Sequence, residues 1–356
     1  MSLPPLKGRG ATANALSSRF DDQAREADGD WLDAREGIDG DGPPLRTTVT
    51  VERAKTAITW QTSPDIPFDR SLNAYRGCEH GCIYCFARPT HAFHNLSPGL
   101  DFESRLFAKP DVAETLRAEL AKPGYDCAPL ALGTNTDPYQ PIEARWRITR
   151  SVLEVLAEHR HPVTITTKSA RVTRDIDILA PMAAQGLAAV MLSVTSLDPK
   201  VARTLEPRAS SPARRLATIR ELTAAGIPVF ASLSPIVPAI TDHEVEALVA
   251  AVAEAGAVGA YSMLVRLPNE VAPLFRGWLD AHYPERAGKV MALIRDMRGG
   301  KDNDGRFFER FRPQGAYAAT IKARVERAKR IHGLTGRDLS LRTDLFRRPG
   351  ELPLFG

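Results

Sequence analysis

The middle of the chain alternates between short β-rich runs and amphipathic helical stretches. Parallel strands need long crossover connections, usually helices, so this alternation predicts consecutive parallel βα units. Six such units predict an α/β fold, a partial (βα)6 TIM-like barrel with its functional groups at the carboxyl ends of the strands. A doubly wound sheet is the alternative, although no glycine-rich dinucleotide fingerprint follows the first run. The β-rich runs are residues 71–76, 129–134, 163–168, 188–194, 227–233 and 258–264.

Charge and composition divide the chain into three parts. The whole sequence is nearly balanced at a net charge of +4, which excludes a histone-like polycation. Residues 1–46 are acidic and rich in Gly and Pro, and we predict a disordered leader there. Residues 47–300 form the predicted barrel core. Residues 301–356 hold thirteen basic and seven acidic side chains, which predicts a basic extension with a helix over 318–332.

The chain carries no sign of a membrane segment or a secretory signal. No apolar run reaches the ~18 residues that a membrane-spanning helix needs. The first twenty residues lack the apolar stretch of a signal peptide. We therefore expect a soluble, cytoplasmic protein with no membrane partner.

Three of the four cysteines lie in one short loop after the first β-rich run. Cys78, Cys82 and Cys85 are spaced C-x3-C-x2-C, and thiolates this close together can bind a soft metal centre. Three ligands leave one position open on a tetrahedral iron or zinc. From spacing alone, a structural zinc site remains an alternative. Its fourth ligand is one of His80, His91 and His94.

This loop, with Tyr84 directly before its last cysteine, resembles the cluster loop of radical S-adenosylmethionine (SAM) enzymes. The resemblance implies a [4Fe–4S] cluster on Cys78, Cys82 and Cys85, with SAM on the fourth iron. It also implies reductive cleavage of SAM, hydrogen abstraction from a substrate by a 5′-deoxyadenosyl radical, and a reducing partner of the flavodoxin or ferredoxin type. It runs from about residue 47 to about 300. Segments resembling the bacterial branch related to spore photoproduct lyase are 101–110, 133–143, 164–169, 193–198, 205–216 and 234–242.

The same resemblance implies cofactor contacts at the ends of successive runs. It places Tyr84 beside the adenine and the end of the second run beside the methionine amino group. Lys168 closes the third run, where a charged side chain needs an anion such as the methionine carboxylate. No catalytic residue is assigned. The other candidate contacts are Thr134, Asn135, Thr136, Ser193, Glu206 and Arg208.

Each candidate also has a simpler interpretation. These are loop packing for Tyr84, a solvated strand end for Lys168 and a turn hydroxyl for Ser193. Glu206 and Arg208 have a surface ion pair as their alternative. The neighbouring Asp137 is a candidate cap for the turn at Pro138, and Arg214 and Arg215 are expected to be solvated or structural.

Three functions follow from these features. The first is a radical SAM enzyme of unknown substrate. The second is a DNA-lesion repair lyase that binds nucleic acid through the basic extension. Against it, spore photoproduct lyases carry a cysteine beside the end of the second strand. Here residues 132–137 contain none, and Cys127 lies at the start of that strand. Tyr139, Tyr261 or no protein group remain as hydrogen donors. The third is a zinc-stabilised scaffold without enzymatic activity.

Overall fold

Six parallel strands in unbroken chain order form the main sheet of the computed structural model, which describes residues 6–19, 45–334 and 340–350. Each predicted β-rich run contains one of these strands. In chain order the strands of the described residues are β1 (Thr48–Val51), β2 (Thr59–Trp60), β3 (Arg70–Leu72), β4 (Tyr75–Arg76), β5 (Arg105–Ala108), β6 (Leu130–Leu132), β7 (Val163–Thr167), β8 (Ala188–Ser193), β9 (Val229–Ser232) and β10 (Gly259–Tyr261).

Helices cross between the parallel strands at the predicted places. They lie between the β-rich runs, as the alternation predicts, and 3-10 turns at Ala170–Asp175 and Asp242–Glu244 precede two of them. In chain order the α-helices of the described residues are α1 (Leu100–Ser104), α2 (Val112–Leu120), α3 (Glu143–Trp146), α4 (Ile148–Glu158), α5 (Ile176–Ala184), α6 (Pro199–Leu205), α7 (Pro212–Ala224), α8 (Val245–Glu254), α9 (Val271–His282), α10 (Pro284–Asp296) and α11 (Gly315–Ile331).

The main sheet runs β10-β9-β8-β7-β6-β3-β2, with only β2 antiparallel to its neighbour. Because the strand order never reverses, the doubly wound alternative is wrong. The mixed α/β fold is confirmed. No strand pairing among the described residues joins β2 to β10, so the sheet is open rather than a closed barrel.

A second sheet of three strands was not predicted from the sequence. It has the order β1-β5-β4, with β1 parallel and β4 antiparallel to β5. Strand β4 follows β3 after two residues and leads directly into the three cysteines. This small sheet therefore flanks the cysteine-bearing segment.

The prediction of a disordered leader is wrong for residues 6–19, which we call the N-terminal strap. The backbone N–H groups of Gly10 and Ala11 donate to the carboxylate of Glu103 at 3.0 and 2.9 Å. Arg9 donates to the Glu103 carbonyl at 2.6 Å. The acidic composition of residues 1–46 predicted disorder. No local pattern identifies the partner of this segment, because that partner is a single buried carboxylate far along the chain. Residues 20–44 lie outside the described residues.

The predicted helix of the C-terminal extension is α11. Its apolar face, with Ile321 and Val325 buried, packs with Ile236 and Val245. At its exposed side, Arg324 donates to Glu246 on α8 at 2.7 and 2.6 Å. This packing agrees with the alternative of an amphipathic cap on the core. No helix in the described ranges is both long and apolar enough to cross a membrane.

Candidate cofactor site

The cysteine loop, residues 77–86, follows β4 and holds three cysteines close together. Cys78 and Cys82 are buried and Cys85 is half-buried. Burial raises the pKa of Cys78 well above its usual value, and the nearby Asp137 and Cys82 raise it further. The Cys78 and Cys82 thiols are therefore protonated until a positively charged centre stabilises them as thiolates. This donor set fits an iron–sulfur cluster, in which each cysteine binds a different iron.

A single metal ion makes a different demand on its ligands, because all of them must converge on one point. No three His, Cys, Asp or Glu side chains in the described part of the chain are arranged to hold one ion. Two of the three candidate histidines have other contacts. His80 lies 3.2 Å from Asp137, and His91 contacts the Arg105 carbonyl at 2.9 Å. The structure therefore gives the structural zinc site no support.

A buried arginine binds the backbone of the cysteine loop. Arg88 is fully buried, and its Nε donates to the Cys82 carbonyl at 2.9 Å and its Nη2 to the Gly81 carbonyl at 3.1 Å. Its other N–H groups donate to the carbonyls of residues 98 and 99 and to the Glu103 carboxylate. All five guanidinium donors therefore have acceptors. Glu103 in turn binds the N-terminal strap, which links that segment to the cysteine loop.

A second buried ion pair lies on the other side of the loop. Glu206 accepts hydrogen bonds from Arg215 and from the Tyr84 hydroxyl, and all three side chains are buried. Burial alone would raise the pKa of Glu206, but Arg215 and Lys168 lower it below its usual value. The carboxylate is therefore ionised. Arg215 also donates to the Ser193 carbonyl at 3.1 Å.

Lys168 joins this group from the end of β7. Its ammonium lies 5.9 Å from the centre of the Tyr84 ring. Burial opposes its charge, but Cys82 and Glu206 raise the pKa of Lys168 above its usual value. Within the described residues, no carboxylate lies within ion-pair distance of this ammonium. Lys168 is therefore a charged group beside the cysteine loop that has no carboxylate partner among the described side chains.

The segment after β6 joins the strand ends to each other. The Thr134 hydroxyl and the Asn135 backbone N–H both contact the Asn73 side chain, at 3.0 Å each. Thr136 donates to the Gly77 carbonyl at 2.6 Å, and that contact supports the cysteine loop. Thr134 and Asn135 remain half-buried beside it.

Asp137 caps the turn at Pro138, as predicted, and also binds the backbone of the next strand end. Its carboxylate accepts the Tyr139 N–H at 2.9 Å, which caps the turn at Pro138, and the Lys168 N–H at 2.8 Å from the next strand. Burial alone would raise the pKa of Asp137, but His80 and these hydrogen bonds hold it at about 2. Asp137 is thus a fixed anion that joins two strand ends.

The remaining candidates differ in their surroundings. Ser193 is buried at the end of β8. Arg208 is exposed and forms an ion pair at 3.2 Å with the buried Glu79, whereas Glu206 pairs with Arg215, so the surface ion pair considered for Glu206 and Arg208 is not formed. Tyr139 is buried and donates to Asp175 at 3.0 Å, whereas Tyr261 is half-exposed at the end of β10.

Sequence reasoning missed several residues of this site. Arg215, expected to be solvated or structural, is structural: it is buried and paired with Glu206, a partner that was not predicted. Arg88, Glu103 and Asn73 were not considered, because no spacing rule relates them to the cysteines. The only available signal was a charged side chain inside an apolar segment, which predicts a buried pair without identifying the partner.

Comparisons with known proteins agree with this geometry. The family model of the radical SAM superfamily matches residues 72–252. An uncharacterized protein of Mycobacterium tuberculosis (strain ATCC 25618 / H37Rv) is 36% identical over 232 residues, which are 65% of this chain and 68% of the relative. An uncharacterized protein of Methanocaldococcus jannaschii is 25% identical over 214 residues, which are 60% and 76% of the two chains.

Solved structures with a similar fold are those of spore photoproduct lyase. A mutant of that enzyme has a TM-score of 0.56 and 17% identity, over 80% of each chain. The lyase complexed with dinucleoside spore photoproduct has a TM-score of 0.55 and 16% identity, over 83% of this chain and 84% of the other. At these identities the likeness shows the fold alone. The family match spans half of the chain, and the chain therefore belongs to the radical SAM superfamily and is a radical SAM enzyme.

Proposed function

We propose that this enzyme binds a [4Fe–4S] cluster through Cys78, Cys82 and Cys85 and binds SAM beside it, with a substrate still to be identified. The observation that carries the proposal is the burial of these cysteines together in one loop beside the ends of the parallel strands. When bound and reduced, the cluster supplies an electron that cleaves SAM to methionine and a 5′-deoxyadenosyl radical, which abstracts a substrate hydrogen.

The charged residues around the loop support a SAM site. Glu206 is already neutralised by Arg215, whereas the Lys168 ammonium has no carboxylate partner among the described side chains. A methionine carboxylate therefore has one available cation here, and we assign Lys168 to it. Tyr84 is held by Glu206 and presents its ring beside Lys168, in keeping with an adenine or methionine contact.

The other candidate contacts divide into two groups. Thr134 and Asn135 keep half-buried hydroxyl and amide groups near the loop, and we assign them to the methionine amino group. Thr136, Ser193, Glu206 and Arg208 support the site through contacts within the protein in this proposal. The 3.2 Å contact of Arg208 with Glu79 favours that role.

We also propose that the open sheet curves into a partial barrel. In a flat seven-stranded sheet the edges lie about six spacings of ~4.8 Å apart, roughly 29 Å. A chain of short contacts crosses between the two edges here. Arg298 donates to the Val265 carbonyl beyond β10 at 2.9 Å, and to the Arg310 carbonyl at 3.5 Å. Arg310 donates to Asp65, in the connection between β2 and β3, at 2.8 Å.

Several expectations stay predictions. Radical SAM enzymes need a reductant, and a donor of the flavodoxin or ferredoxin type remains our prediction for it. No observation favours DNA-lesion repair. The cysteine that spore photoproduct lyases carry is absent after β6, the strand of the second β-rich run, and Arg324 and Arg306 of the extension are paired with carboxylates. Cytoplasmic location and the domain limits at residues 46 and 300 also remain predictions.

Anaerobic reconstitution tests the ligand set. We expect about four irons and four sulfides per chain, lost in Cys78→Ala, Cys82→Ala and Cys85→Ala. Cys127→Ala is the matched control, because Cys127 precedes β6 rather than lying in the loop. With dithionite and SAM, the reconstituted protein should form 5′-deoxyadenosine. One zinc per chain without iron, or loss of iron in Cys127→Ala, would contradict the proposal.

A further inference from the structure

Four arginines gather where the C-terminal segment crosses between the two sheet edges. Arg266 follows β10, Arg298 follows α10, and Arg310 and Arg312 belong to the crossing segment. Beside them is an open pocket of about 320 Å³. We call this the arginine pocket; its walls are residues 64–67, Phe308, Phe311 and Arg312.

The arginines outnumber the carboxylates around this pocket. Asp65 lines it, but both of its oxygens are bound by Arg310. Asp304 is the next carboxylate, and it is paired with Arg306. Within the described residues, no carboxylate lies within 4 Å of Arg266 or Arg312. The pocket therefore carries uncompensated positive charge.

Arg266 is the arginine that most lacks a partner. Its Nε atom is buried without a hydrogen-bond partner, as is the Nε atom of Arg298. Burial, with Arg310 and Arg298 nearby, lowers the pKa of Arg266 to about 10. A bound anion stabilises such a buried guanidinium, because the anion accepts the hydrogen bonds that water would otherwise accept and compensates the positive charge.

Aromatic rings complete the pocket. The guanidinium groups of Arg266 and Arg310 lie 4.6 and 4.9 Å from the centre of the Phe311 ring. Phe308, which also lines the pocket, is 47% exposed. A planar ligand ring can stack on such a surface, while the arginines bind an attached anion.

We propose that the arginine pocket binds a phosphate monoester attached to a planar ring. Arg312 lines the pocket, and the Arg266 guanidinium lies 4.6 Å from the Phe311 ring on its wall; together the two arginines match the charge of about −1.5 to −2 that a phosphate monoester carries at neutral pH. Arg266 follows the carboxyl end of the last parallel strand, the edge at which functional groups of such sheets gather. The pocket thus holds the anionic end of the substrate. That last assignment rests on the proposed function, whereas binding itself does not.

Calorimetric titration of the full-length, anaerobically purified protein tests this site with phenyl phosphate, inorganic phosphate and phenol. Phenyl phosphate should bind more tightly than inorganic phosphate, and phenol alone should not bind measurably. Arg266→Gln and Arg312→Gln should each weaken phenyl phosphate binding about tenfold or more. Phe308→Leu should remove the preference for phenyl phosphate over inorganic phosphate, because Phe308 is the exposed ring of the pocket. The control is Arg324→Gln, whose arginine is paired with Glu246 away from the pocket.

Three results would overturn the assignment. The first is that phenyl phosphate does not bind, and the second is that both Arg266→Gln and Arg312→Gln bind it as the unaltered protein does. The third is that a single-stranded oligonucleotide, whose internal phosphates are diesters, binds more tightly than phenyl phosphate. Arg312 is exposed, so its variant keeps the test decisive if Arg266→Gln fails to fold. Iron content is measured on the same samples. A missing cluster with intact phenyl phosphate binding refutes the proposed function and leaves the pocket standing.

Discussion

The five N–H groups of Arg88 provide the sharpest test of how the cysteine loop is held in place. Each donates to a separate acceptor, and the side chain is fully buried. Lysine has three N–H donors at one point, so at least two acceptors lose their donor in Arg88→Lys. A buried acceptor without a donor costs about 1–3 kcal/mol, so the apparent free energy of unfolding should fall by about 2–6 kcal/mol.

Urea titration of the iron-free protein, followed by tryptophan fluorescence under reducing conditions, measures this change. Arg214→Lys is the matched control, because Arg214 is exposed and paired only with Glu221; it should change stability by less than about 0.5 kcal/mol. Arg88→Lys should also retain less iron after reconstitution, since two of the five contacts of Arg88 are to the Gly81 and Cys82 carbonyls of the cysteine loop. Equal stability and equal iron content in the two variants would refute the reasoning.

Three further predictions follow from the contacts of the site. Lys168→Ala should weaken SAM binding about ten- to a hundredfold in equilibrium dialysis with the cluster retained, and Lys168→Arg should not fully restore it. Gly10→Ala places a Cβ 2.0 Å from the Gly81 carbonyl oxygen, so thermal melts should show a lower Tm, whereas Gly288→Ala, with open space around it, should not lower it. Asp137 has a pKa of about 2 instead of about 3.8, so it contributes roughly 2.5 kcal/mol above pH 4 that is lost as pH falls through 2. Asp137→Asn should be less stable at pH 7 in urea titrations, and an unchanged pH profile between pH 4 and 2 would contradict this.

The sequence predicted most of the main sheet because strands β6 to β9 are short, largely buried and followed by helices. Residues 163–168 show this clearly: β-branched side chains precede Lys168, and the structure ends β7 at Thr167. The three-stranded sheet was missed because β1 is mostly exposed and β4 has two residues, so neither has a strong hydrophobic pattern.

The contacts that shape the cofactor site were less predictable. Glu206 and Arg215 are nine residues apart and form a buried pair, but local sequence also permits two solvated side chains. Glu103 binds Gly10 and Ala11 from more than ninety residues away. Such pairs depend on how the elements pack, and spacing rules describe only neighbours within one helix or strand.

The N-terminal strap has a consequence for the order in which the protein assembles during translation. Residues 6–19 leave the ribosome well before their partners are made: Glu103 follows by about ninety residues, and Glu270, which binds Ser17 and Arg19, by about two hundred and fifty. The strap therefore docks fully only after residue 270 has been made. While the strap is undocked, the cysteine loop lacks the packing of Gly10 against Gly81 and is restrained by Arg88 alone on that side.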